Sequence, residues 1–280
     1  ADAIVNPNQH GDEFPSKNLA GCGVIFYVLL ALRAELRAQN YFTDNNIPDP
    51  KLAELLDLVA LGTVADVVPL DHNNRILVHQ GLSRMQAGHC RPGIRALLTV
   101  ANRKINHLQS SDLGFAVAPR LNAAGRLDDM SVGIACLLAE DESTAMKLAN
   151  QLDELNKERR EIESDMQIQA LEEVRKLQFD TDNTAMGLVI YEPNWHQGVI
   201  GLVAGRIKER MHRPVIAFAK ASETEFKGSA RSIPGLHIRD ALDRVSKSHP
   251  DIIKKFGGHA MAAGLSIHAS KFTEFKQAFD

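Results

Sequence analysis

Near the end of the chain, in "FGGHAMAAG", Phe256–Gly264, a single imidazole, His259, stands among residues that have almost no side chain. Glycine lets a backbone come close to a ligand that a Cβ would hold off. On that reading, Gly257 and Gly258 offer amide N–H groups, and His259 is the polar contact on a phosphate-sized site. The same reading predicts that Ala260 to Gly264 open a helix whose positive end faces an anion. A packing reading competes with it, because small residues also occur where a helix lies tightly on a sheet.

Other polar residues stand in similar settings. In "FKGSARSIPG", Ser229 and Arg231 alternate on one face of a presumed strand, so that a hydroxyl and a guanidinium point the same way, as a terminal phosphate would require. In "PRLNAAGRLDD", Arg120, Asn122 and Arg126 lie among alanines and a glycine. Arginine's planar donors suit phosphate, although ordinary surface arginines would look alike. In "LGTVADVVPL", Asp66 is flanked by valines and an alanine that favour burial, and a buried carboxylate without a partner is costly. A hard divalent cation would relieve that cost, as would a role in capping a helix. "WHQGVIGLVAGRI" sets Trp195 and His196 at a strand end, before a helix start marked by Gly198 and Gly201. That start either binds phosphate or packs, and Trp195 either stacks on a base or is structural. The remaining histidines show no ligand spacing, and no nucleophile elbow, Walker A loop or dinucleotide fingerprint occurs.

The composition sets the bounds. The chain has 280 residues, 44% of them hydrophobic, enough for one large or two ordinary cores. Its formal charge is −3, so nucleic-acid binding must rest on a local basic groove. No apolar run reaches membrane-spanning length, and no signal peptide pattern is present. The 3 cysteines, Cys22, Cys90 and Cys136, have neither metal nor disulfide-framework spacing, which fits a reducing cytoplasm. The opening "ADAIVNPNQ" lacks an initiator Met and reads as a strand end already inside a domain, so a piece of a longer protein is expected.

The elements that must position these residues follow from periodicity. Helices are predicted from Leu19 to Gln39, from Lys51 into a polar break after Gly62, from Asn73 to Gln86, from Pro92 to Ala101, from Ser110 to Leu127 and from Met130 to Leu138. From Ser143 to about Lys176 there is no Gly or Pro, and the pattern is that of one long helix, polar on most faces, which either bridges two bodies or forms a coiled coil. Beyond it, strands at "TAMGLVIYEP", "RPVIAFAK" and "EFKGSARSI" alternate with helices at "GVIGLVAGRIKERM" and "IRDALDRVSK", and "GHAMAAGLSIHA" runs from a helix start into a strand. The expectation is an α/β chain with a small α/β domain at its end.

Taken together and in order, "GTVADVVPL", "PRLNAAGR", "GSARS" and "FGGHAMAAG" resemble the RecJ family of single-stranded-DNA-specific 5′ to 3′ exonucleases, within the DHH phosphoesterases, over essentially the whole chain. The "NPNQ" and "LAGCGV" segments also look like those that follow the family's Asp-His-His motif. The resemblance implies the C-terminal part of a DHH catalytic domain at residues 1–138, a connecting helix at 139–178 and a DHHA1 substrate-binding domain at 179–280. It implies two-metal phosphodiester hydrolysis with Mn²⁺ or Mg²⁺, in DNA repair and recombination. Asp66 matches the last aspartate ligand, and Arg120, Asn122 and Arg126 match groove-lining positions. Ser229 and Arg231 match residues that hold the 5′ end or nearby phosphates, and Gly257, Gly258 and His259 match the loop facing the scissile phosphate. Single-stranded DNA is the implied partner, joined by a single-stranded-DNA-binding protein and a helicase.

Two departures stand out. Ala230 replaces the glycine usual within the Ser-x-Arg motif, and of the metal ligands only Asp66 is matched. One carboxylate cannot assemble two ions, so this chain alone is expected to cleave poorly or not at all. A phosphodiesterase of short oligonucleotides or cyclic dinucleotides, and a binding module without catalysis, are the alternatives.

Overall fold

The structure, a computed structural model, describes residues 3–178 and 186–280 and divides into two compact units. The first unit comprises the residues up to Ala124 together with Asp128–Asn156; the second comprises Gly125–Leu127 and the residues from Lys157 to Asp280. Thr184 and Ala185, with which one strand was expected to begin, lie outside the described residues.

The first unit is helical among its described residues. It contains α1 (Gly21–Ala38), α2 (Tyr41–Asp44), α3 (Leu56–Ala65), α4 (His72–Gln86) and α5 (Pro92–Val100). There follow α6 (Ser110–Asp112), one π-helical segment (Leu113–Val117) and α7 (Ala118–Leu127, its last three residues counted with the second unit) in a continuous run, then α8 (Ser131–Leu138) and the first part of α9 (Glu142–Gln178). Local chemistry starts several of these. The Asp71 carboxylate accepts from the Asn74 N–H at 2.9 Å to cap α4, and Pro92 occupies the first turn of α5, where its missing N–H costs nothing. The core is built from Met85, Ile94, Leu97, Leu113, Val117 and Leu152, all fully buried. α5 lies so close to α8 that a Cβ on Gly93 would sit 1.9 Å from the Cys136 carbonyl oxygen. Asp57 is almost wholly buried in α3 and accepts from the Arg91 side chain at 2.9 Å and the Arg91 backbone N–H at 3.1 Å.

The second unit is built on a five-stranded sheet in the order β1-β2-β3-β5-β4, with β1 (Leu188–Tyr191), β2 (Val215–Lys220), β3 (Glu225–Arg231), β4 (Ile253–Gly258) and β5 (Ala262–His268). Only β1 and β2 run parallel. α10 (Ile200–Met211) and the later part of α9 pack on one face through Met166, Ala170, Val203 and Ile207 against Val215 and Ala217. α11 (Ile238–Ser248) and α12 (Phe272–Phe279) cover the other face through Leu242 and Phe275, with Phe218 and Ile267 beneath them. The mixed α/β class expected from the sequence is what the chain adopts.

The helix predicted at Ala260–Gly264 is absent. Ala262, Ala263 and Gly264 instead pair with Arg231, Ala230 and Ser229 of β3, which makes β5 an inner strand. The ladder bonds gained there outweigh alanine's helix preference, which is only a weak prior. β4, whose "IKKFGG" lacks strand-like alternation, is its edge partner. Among the described residues no helix is long and apolar enough to cross a membrane.

Removing one member of a buried ion pair strands the other charge. Asp57→Ala should therefore lower unfolding stability by about 3 kcal/mol. In urea denaturation this would read as a lower midpoint with an unchanged slope.

Candidate anion-binding site

Alternation along β3 buries Phe226 and Ala230 on one face and leaves Lys227, Ser229 and Arg231 on the other. Pairing then extends that second face sideways, since Ser229 stands opposite Gly264 of β5, and Gly264 opposite Gly257 of β4. α10 crosses the same face. A Cβ on Gly201, in its first turn, would lie 2.9 Å from the Ser229 hydroxyl and 2.7 Å from the Arg231 guanidinium. Gly198, just before the helix, would bring a Cβ to 2.0 Å from the Arg126 carbonyl oxygen. The result is a cavity of about 520 Å³ lined by Arg126, Gly198, Ser229, Arg231, Gly257 and Gly264, among others, with no acidic side chain among the described residues of its wall.

The electrostatics of this cavity are one-sided. Arg231 donates to the Ser229 hydroxyl at 3.0 Å and to the Ala230 carbonyl at 2.9 Å, which fixes its fork without neutralising it. Burial, then the nearby Arg126 charge, pulls its pKa below the usual arginine range. Arg126 is lowered in the same way by burial and then by Arg159, with Glu163 working against that. Glu163 is itself ion-paired with Arg159 and with Arg206. Arginine stays protonated in proteins, so an anion is the partner that would relieve both cations.

The small residues divide into two kinds. Gly258 has φ +150°, and a Cβ there would meet the Ala262 carbonyl oxygen at 2.5 Å, so backbone geometry demands glycine. Around Gly257 and Gly264 nothing lies within 4 Å of a Cβ position, so no packing neighbour requires them. His259 is exposed at the β4–β5 turn, and its N–H donates to the Ala262 carbonyl at 2.8 Å. That turn is held by Ile238 N–H donating to the Ala260 carbonyl at 2.9 Å and Ser232 N–H to the Met261 carbonyl at 2.9 Å. The backbone that presents His259 is thus a tied hairpin and not a helix start.

The first-unit candidates have different surroundings. Asp66 is exposed, contrary to the burial its neighbours suggested. α3 ends at Ala65, and Val67 then takes a left-handed φ of +56°, an unusual conformation for a β-branched residue, and stands 85% exposed. Arg120 is already engaged: it meets Asp153 at 2.7 Å and donates to the Ala116 carbonyl at 2.6 Å. Asn122 is exposed on α7. Trp195, in the second unit, is buried and donates through Nε1 to the Gln169 side-chain oxygen at 2.8 Å, which is the structural alternative for that residue.

Arg126, Ser229, Arg231 and Gly257 therefore share one cavity, Gly258 and His259 continue the strand that floors it, and Asp66, Arg120 and Asn122 belong to the other unit. Sequence reasoning passed over Lys227, Lys255 and Ser266, which also line the cavity. Extending the Ser229–Arg231 alternation back by two residues would have found Lys227. Among the described residues no group of three or more His, Cys, Asp or Glu side chains could hold a metal ion, so Asp66 has no companion ligands there.

Comparison with known proteins adds an independent line. The DHHA1 domain family matches residues 184–280. The single-stranded-DNA-specific exonuclease RecJ of Escherichia coli strain K12 is 62% identical over 279 residues, a match that covers 100% of this chain and 48% of that protein. Among solved structures, RecJ from Thermus thermophilus in complex with Mg²⁺ is similar with a TM-score of 0.77 at 34% identity, over 95% of this chain and 38% of that one. An exonuclease RecJ bound to manganese is similar with a TM-score of 0.73 at 33% identity, over 96% of this chain and 62% of that one.

The two neighbouring glycines should respond differently to a methyl group. Gly258→Ala should cost about 2 kcal/mol of stability through backbone strain. Gly257→Ala should leave the urea midpoint unchanged or slightly raised, while weakening binding of a phosphorylated oligonucleotide measured by fluorescence anisotropy.

Proposed function

Because the chain is 62% identical to a RecJ exonuclease and spans about half the length of the curated relatives it matches, we propose that it belongs to the RecJ family and is the strand-gripping part of a single-stranded-DNA-specific exonuclease. The observation that carries this reading is the cavity with two guanidinium groups, a hydroxyl and a glycine floor but no acid. Arg126, Ser229 and Arg231 hold the phosphate at the 5′ end, the end from which digestion proceeds. Gly257 and Gly258 let the DNA backbone approach, and His259 faces the phosphate to be cleaved. Arg120 and Asn122 line the path of the strand. The Asp153 pairing supports Arg120 acting there by holding α7 in place.

In this reading residues 1–138 belong to a DHH catalytic domain, 139–178 to a connecting helix and 179–280 to the DHHA1 substrate domain. Hydrolysis depends on Mn²⁺ or Mg²⁺, to which Asp66 contributes one ligand. The described residues do not by themselves make such a centre. That favours a second reading for the chain taken alone, namely binding without cleavage. The whole protein works in repair and recombination in the cytoplasm, where a single-stranded-DNA-binding protein and a helicase supply its substrate. The free state of Cys22, Cys90 and Cys136 is compatible with that compartment.

Two outcomes check this. Arg126→Ala and Arg231→Ala should each weaken binding of a 5′-phosphorylated single strand about tenfold. Each should also reduce the slope of log affinity against log salt by about 0.7. Lys247→Ala, on the helix that covers the opposite face of the sheet, should change neither. With Mn²⁺ the chain should bind this strand yet release no nucleotides. Release that vanishes in Asp66→Ala would overturn the binding-only reading and reveal a working metal centre.

A further inference from the structure

The face that carries Ser229 and Arg231 also carries a second polar row. Lys227 of β3 stands opposite Ser266 of β5, and Ser266 opposite Lys255 of β4, so the three cross the sheet in one line. Two residues along β3, about 7 Å at the rise of a strand, separate this row from Ser229. The lysine Cα atoms are about 10 Å apart across two inter-strand spacings. Both lysines are exposed, and among the described residues neither side chain makes a hydrogen bond or ion pair. A neighbouring acid, Glu225, is occupied: Lys254 donates to it at 2.7 Å and holds its carboxyl below the usual range, with Ser266 and Lys227 contributing less. Beside Ser229, at the level between the two lysines and Arg231, lie Gly264 and Gly257, which leave an open floor. Both rows line the same cavity.

We propose that Lys227, Lys255 and Ser266 form a second anion subsite that holds the phosphodiester one nucleotide inward from the phosphate at Ser229 and Arg231. This rests on the reading of that cavity as a phosphate site. The offset of about 7 Å along the strand is comparable with the distance between successive phosphates of an extended single strand. The chemistry also divides sensibly between the rows. Forked guanidiniums suit a terminal phosphate with several free oxygens, whereas compact ammonium charges suit a singly charged diester. The glycine floor gives the intervening sugar room to lie against backbone. The site would thereby prefer a strand of at least two phosphates over a lone nucleotide, without reading any base.

The test pairs a variant of this chain with a charge deletion in the ligand. A short 5′-phosphorylated thymidine oligonucleotide is made with a neutral methylphosphonate at the first linkage or at a linkage well inward. Binding is measured for the wild type and for Lys227→Met/Lys255→Met, which retains the apolar stems. In the wild type, the first-linkage change should weaken binding about tenfold, the size of one charge-assisted contact. In the double variant it should cost nothing further, whereas the inward change should cost both proteins equally. Thymidine 5′-monophosphate should bind both proteins alike and should lose affinity in Arg231→Ala. Equal, additive losses at both linkages would reduce the lysines to a diffuse positive field and overturn the subsite alone. A wild type that binds neither the monophosphate nor the oligonucleotide would overturn the phosphate reading, and the subsite with it.

Discussion

The antiparallel register between β3 and β5 is the constraint on which the candidate site depends. Side chains alternate with a period of two, so a slip of one residue would send Ser229 and Arg231 into the apolar face and bring Phe226 and Ala230 out. The penalty for such a slip is large, because Ala230, Leu265, Ile267 and Phe218 form one buried cluster beneath α11 and α12. The hydrophobic side of the sheet thus fixes the polar side. The cations face a common cavity because their neighbours in sequence have to be buried.

A second constraint is the closeness of α10. Its first turn passes over Ser229 and Arg231 with no room for a Cβ at Gly201. That approach takes Arg231 partly out of water and leaves the sheet open over β5 and β4. The four arginines that organise the chain contrast sharply. Arg91 and Arg120 face Asp57 and Asp153 and tie helices together. Arg126 and Arg231, whose pKa values burial lowers, both line a cavity whose described lining holds no acid. Two like charges held in that way are a standing cost to the folded state, and a bound anion would offset it.

This contrast also explains how much could be read beforehand. The alternation that put Ser229 and Arg231 on one face, the long helix from Ser143 and the α/β character after it are local patterns, and local patterns are visible in a sequence. Which arginine meets a carboxylate is not local. Arg120 and Arg126 share one motif and one helix, yet the partner of Arg120 lies 33 positions away at Asp153. Nor could the hairpin at His259 be seen. "HAMAAG" favours a helix by composition, and only the presence of β3 beside it decides for a strand. Asp66 is a related case: its valine neighbours suggest burial, but Val67 turns left-handed and is itself exposed.

β4 is an edge of the sheet, and edges expose unpaired backbone groups that invite another strand. Here that edge carries consecutive lysines, Lys254 and Lys255, a register irregularity beside them and a glycine pair at its tip. Charge, irregularity and weak strand propensity are each a known deterrent to strand addition. The same lysines and glycines that are proposed above to suit a polyanion also disfavour the addition of another polypeptide strand.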